Sequence, residues 1–133
     1  TAHVKALPRL YDELNSSQLT IHGASDLAIA VGLVIVNLAD TFQSPGLSKP
    51  NVHKQPRDTE RVIEKVKQLP RRTSTNRHGF DALGVITVSM RNDGVSPVEL
   101  VTRAPAVPPG DIFHYASMIQ RVVQLYEGRF PRT

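Results

Sequence analysis

The 133-residue chain has no cysteine and no tryptophan, and its aromatic residues are four Phe and three Tyr. Without cysteine there is no disulfide scaffold, no thiol nucleophile and no zinc–thiolate site. Neither a GxxxxGK[ST] nor a GxGxxG phosphate loop occurs, and there is no GxSxG nucleophile turn. The five histidines, at 3, 22, 53, 78 and 114, never come close enough in sequence to form a local metal motif. The longest apolar run, Leu27 to Val36, is ten residues, about half of a membrane span. No signal peptide is visible, and a first residue other than Met is expected of a processed or trimmed chain. What is present is one domain's length of chain, 40% hydrophobic and 21% charged, enough to bury a core.

Sixteen Lys and Arg face twelve Asp and Glu, a net charge of +4. The excess is local. Between Lys49 and Arg77 there are nine basic and three acidic residues, whereas the remainder holds seven and nine. A basic segment on an otherwise slightly acidic domain points to a polyanion partner, with a solvated basic loop as the plain alternative.

Apolar spacing predicts a short helix over 3–14, starting near Leu7 because Pro8 belongs in a first turn. A turn at 15–17 and a buried strand QLTIH at 18–22 follow. The run 27–42, LAIAVGLVIVNLADTF, reads as a helix apolar almost all round, with Gly32 in its middle. Residues 43–57 read as an irregular connection with a short strand near Val52. TERVIEKVKQL at 59–69 fits both a helical face and one strand of a long hairpin, and 70–79 reads as a mobile basic loop. The strand signal at 84–91 is the clearest in the chain, and Asn92-Asp93-Gly94 turns it back toward a partner strand at 98–101. A Pro-rich spacer at 104–110 leads to a closing helix at 111–127, capped by Asp111 and ended by Gly128, expected to dock on its own domain.

No carboxylate pair suited to acid–base work stands out, so no catalytic residue, metal or cofactor is expected. His22 reads as a core-edge histidine bonded to a backbone carbonyl. The candidates for phosphate contact are Lys54, Arg57, Arg61, Lys65, Lys67, Arg71, Arg72 and Arg77, with His78 beside them. On a helix Arg61 and Lys65 share a face. With so few aromatics, base stacking is a minor contribution, and recognition of backbone and shape, as in structured RNA, fits better.

The stretch QLTIHGASDLAIAVGLVIVNLADTF at 18–42, with Ile21-His22-Gly23 and Leu27-Ala28-Ile29, resembles the second strand, glycine turn and second helix of the Alba family of nucleic-acid-binding proteins. That family includes the paired small protein subunits of ribonuclease P and MRP. TNRHGFDALGVITVSM at 75–90 is similar to the family's Arg-His end of a hairpin arm running into the last strand. The resemblance covers roughly residues 3–105. It implies an α+β two-layer sandwich, a mixed sheet packed on two helices, in a dimer or heterodimer with projecting basic arms. The domain boundaries it implies are 1–103 for an Alba-like domain and 104–133 for the spacer and closing helix. The family's first strand and its lysine-bearing loop have only Lys5 as a counterpart, and where family members carry Arg or Lys this chain has Ala30 and Val31. The expected function is a non-catalytic RNA-binding subunit of a ribonucleoprotein, partnered by RNA and a second Alba-like subunit or other proteins. The alternative is a structural protein of a large assembly, such as a mitochondrial ribosome or RNA-processing complex, with mainly protein contacts. The composition fits mitochondrial matrix, nucleus or cytoplasm alike, and no membrane role is expected.

Overall fold

The computed structural model describes residues 2–132, with side chains from Ala6 onward. Its elements are α1 (Ala2–Ala24), β1 (Val31–Asn37), β2 (Thr41–Phe42), β3 (Asn51–Val52), α2 (Arg57–Lys67), β4 (Ala82–Ser89), β5 (Glu99–Leu100) and α3 (Tyr115–Arg129). β4 is the middle of a mixed three-stranded sheet, parallel to β1 and antiparallel to β5. A small ladder of β2 and β3 stands apart. Three helices and a small mixed sheet make the fold α+β. No described helix is long and apolar enough to cross a membrane.

The run expected as an apolar helix is instead a strand. Val31, Val34, Ile35 and Val36 are β-branched and fit a pleated surface better than a helical one. Along 31–37 burial alternates, with Gly32, Val34 and Val36 inside and Val31, Leu33 and Ile35 outside. Conversely, QLTIH at 18–22 is not a strand but the last part of a continuous α1. Leu7, Leu10, Tyr11, Leu14, Gln18 and His22 recur every three or four residues, so one stripe runs the length of the helix. Ser17 and Thr20 are accommodated because their hydroxyls donate to the carbonyls of Glu13 and Ser16, four residues back. The segment left open at 59–69 is helical, so no hairpin arm projects there.

One face of the sheet carries the main core. Gly32, Val34 and Val36 lie beside Leu83 and Val85 in register, and Val62, Ile63, Val66 and Leu69 of α2 pack onto them. Leu7, Leu10, Tyr11 and Leu14 of α1 close the cluster. The opposite face of β4 is covered by α3, where Met118 sits against Gly84. The closing helix thus docks on its own sheet. Its N-cap is His114, whose Nδ1 accepts from the Ala116 N–H, and not Asp111. Asp111 instead accepts from the Phe113 N–H one turn earlier, and Gly128 lies inside the helix. The free edge of β4 is completed by two segments. The Val85 N–H donates to the Phe113 carbonyl, and the Val101 N–H donates to Thr87.

Within β1, Gly32 leaves no room for a side chain. A Cβ there would stand 2.6 Å from Leu83 Cδ1 and 3.0 Å from the Phe80 ring, both fully buried. At Gly84 the nearest atom, 2.8 Å away, is the thioether sulfur of Met118, a side chain that shifts easily. Urea unfolding is expected to show Gly32→Ala destabilised by about 1–3 kcal/mol. Gly84→Ala should lose clearly less, and equal losses would contradict this packing.

Candidate nucleic-acid interface

The charged residues divide into an inward set and an outward set. The centre of the inward set is Asp81, 1% exposed at the foot of β4. Its Oδ2 accepts from the Ala30 N–H at 2.8 Å and lies 3.0 Å from His22 Nε2 and 3.5 Å from Arg72 Nη1. Its Oδ1 accepts from Arg129 Nη2 at 2.5 Å. His22 Nε2 also faces the Ala28 carbonyl at 3.2 Å, so this nitrogen carries the hydrogen. Burial alone would raise the Asp81 pKa. The hydrogen bond and charge of Arg129, the Ala30 N–H and the His22 bond outweigh it and hold the carboxyl below its usual range. Alongside, buried Gln18 accepts from the Gly79 N–H at 2.7 Å and donates to Asn15.

This network takes Arg72 out of the expected RNA contacts. Arg72 is 3% exposed. Its guanidinium donates to the carbonyls of Asp26, Ala28, Ser74, Thr75 and Arg77, so the 72–77 loop is wrapped around it. Arg71 is half-buried over the Phe113 ring. Desolvation, with the nearby charge of Arg121, lowers its pKa against the pull of Asp111. Lys67 reaches the same ring and Asp111, and Lys65 lies over the Tyr11 ring. His78 is exposed, with Nδ1 accepting from Gln18 Nε2. The side chain of Lys5 lies outside the described residues. Lys54, Arg57, Arg61 and Arg77 point to solvent.

These four are not one patch. Arg77 belongs to the loop at the amino ends of β1 and β4, held there by Arg72 and Asp26. Lys54 and Arg57 sit at the opposite end, where Gln55 and Thr59 donate to the Asn37 carbonyl at the end of β1. A seven-residue strand separates the ends by about 20 Å. At this carboxyl end the structure brings in two arginines that sequence spacing did not single out. Arg91 and Arg103 line an open cleft of about 450 Å³ with Asp40, Gln55, Pro56 and Ser89. Arg91 pairs with Asp40 at 3.1 Å. Lys54, Arg57 and Arg61 continue this basic edge along α2, interrupted by exposed Glu60 and Glu64. The carboxyl ends of parallel strands are where open sheets of this kind bind ligands.

Comparison with protein-family models, with curated proteins and with solved structures finds no match. Among the described residues no three His, Asp or Glu side chains group as a metal site. Arg91 and Arg103 had no signal in the sequence beyond being isolated arginines after strands. Asp81 had one, a lone carboxylate directly before the apolar strand β4.

Because the folded Asp81 pKa is depressed, its stabilisation is complete above the unfolded value near 3.9 and is lost as pH falls through the lower folded value. Urea midpoints of the native chain should drop between about pH 4 and pH 2. Asp81→Asn should cost about 3–5 kcal/mol at pH 7 and flatten this acid limb. An unchanged acid limb would remove Asp81 as its source.

Proposed function

We propose that the chain is a non-catalytic subunit of a ribonucleoprotein that lays its basic edge on the backbone of structured RNA. The observation that carries the reading is the convergence of Arg91 and Arg103 with Lys54 and Arg57 at the carboxyl ends of the parallel strands, next to an open cleft. Arginine forks suit phosphate oxygens, and a cleft flanked by several of them favours a polyanion over a single small anion. Without aromatic side chains in the cleft lining, contact is to phosphate and sugar and carries little base specificity.

The reading replaces the expected arm. The contact set becomes Lys54, Arg57, Arg61, Arg91 and Arg103, and Arg71 and Arg72 leave it. The Alba resemblance adds no support to this edge, because the two segments that carry it at 18–42 are a helix and a strand in the reverse order. A second reading, a structural protein held mainly by protein contacts, is favoured by the exposed apolar residues of β1 and α3.

Fluorescence anisotropy with a labelled RNA hairpin, titrated at several salt concentrations, separates the two. The variant Arg57→Ala/Arg61→Ala/Arg103→Ala should bind more weakly across unrelated sequences, and its salt slope should fall by roughly two units. Arg77→Ala should change little. A native chain that binds no RNA at low salt, or a triple variant that binds like the native chain, would overturn the proposal.

A further inference from the structure

β1 is an edge strand, and among the described residues no strand pairs with its outer side. Val31, Leu33 and Ile35 are 41%, 47% and 63% exposed on the face shared with α3. From Leu27 to Ala39 no residue is charged, and none is proline. Natural edge strands that stay unpaired are usually guarded by charge, proline or a bulge. This one carries no such guard.

The neighbouring surface is apolar too. In α3, Met118, Val122, Leu125 and Arg129 are the more buried positions and face the sheet. One residue on from each lie Ile119, Val123, Tyr126 and Phe130, all exposed, with Tyr115 one turn before. α3 starts beside Val85 and ends at Asp81, so it runs antiparallel to β4. With the right-handed crossover of a β–α–β unit, a right-handed helix running this way turns that stripe toward β1. The stripe and the outer residues of β1 therefore form one apolar trough.

We propose that this trough and edge bind a second copy of the chain, with β1 pairing antiparallel to its own two-fold mate about Leu33. The backbone decides the register. The Ala30 carbonyl accepts from Asp81 and Ala82, and the Leu38 N–H donates to Val88, so even-numbered residues of β1 turn their polar groups toward β4. Odd-numbered residues turn theirs to the open edge. Centring on Leu33 places Val31 opposite Ile35 of the mate, so donors meet acceptors and the outward side chains stay on one face.

The dimensions agree. Two copies of β4 would stand three strand spacings apart, about 14 Å. The two α3 helices above them then leave a gap filled by their apolar stripes, each helix being about 10–12 Å across with side chains. Half-exposed side chains of this size offer about 80–100 Å² each, and together about 700 Å² per copy, close to the roughly 800 Å² per partner of a stable interface. The result is one continuous six-stranded sheet without the unguarded edge.

The chain has no cysteine, so single cysteines report the register cleanly. Paired Cα atoms on the two-fold lie about 5.5 Å apart, within disulfide reach. Under mild oxidation Leu33→Cys should cross-link to a covalent dimer. Val31→Cys and Ile35→Cys should each stay uncrosslinked alone and cross-link with one another when mixed. In analytical ultracentrifugation the native chain should sediment as a dimer, and Leu33→Lys, with unchanged far-UV circular dichroism, as a monomer. A native chain that is monomeric at about 100 µM overturns the proposal, since that is far above the dissociation constants of interfaces this size. A dimer that survives Leu33→Lys, or equal cross-linking at all three positions, overturns the assigned register.

Discussion

A carboxylate buried at 1% exposure would be costly if it stood alone. Asp81 is held ionised by groups from four separate parts of the chain: His22 of α1, the Ala30 N–H before β1, Arg72 of the loop before β4, and Arg129 at the end of α3. None of these is a neighbour of another in sequence. Their common need for one acceptor is what closes the amino end of the sheet. Two helices on different sides of the sheet end there together. The Ala28 carbonyl, which accepts from Arg72 and Arg129 and faces His22, ties the loop before β1 into the same knot.

That closure sorts the positive charge. Arg72 and Arg129 are spent on Asp81 and on backbone carbonyls, and Lys65, Lys67 and Arg71 lie across aromatic rings. What faces solvent in numbers collects at the carboxyl end, where Asn37 pins the strand ends together. Its side chain bonds both the Met90 carbonyl and N–H, and its own carbonyl accepts from Gln55 and Thr59 at the start of α2. The two ends of the sheet thus differ in kind. One is a sealed ion network, and the other is an open basic cleft.

The sequence showed β4, its turn and the return strand clearly, because alternation and the Asn-Asp-Gly signal are local. The turn itself is set by Asp93, exposed, which accepts from the Val95 and Ser96 N–H groups and is thereby held at a pKa of about 2. The closing helix was legible for the same reason, although its cap lay three residues further on. The helix expected at 3–14 is present, but 18–22 and 31–37 are a helix end and a strand, the reverse of the expected strand and helix. A short apolar run has no period that separates helix from strand, and β-branched content decided for strand at 31–37. At 18–22 the helical stripe continued through polar residues, Gln18 and His22, which an apolar pattern does not count. The site was legible only as charge. Which arginines turn inward depends on Asp81, whose partners Arg129 and His22 lie 48 and 59 residues away along the chain and Arg72 on the loop just before it.

The dependence of the fold on this one carboxylate is most directly read by amide hydrogen exchange of Arg129→Met against the native chain at neutral pH. Loss of the Arg129 partner leaves Asp81 under-compensated, so exchange should quicken together in the last turns of α1, the 25–30 loop and the 72–79 loop, as well as in α3. Quickening confined to the last turn of α3, with α1 and both loops protected as before, would show that Asp81 is a local contact and not the joint on which the fold depends.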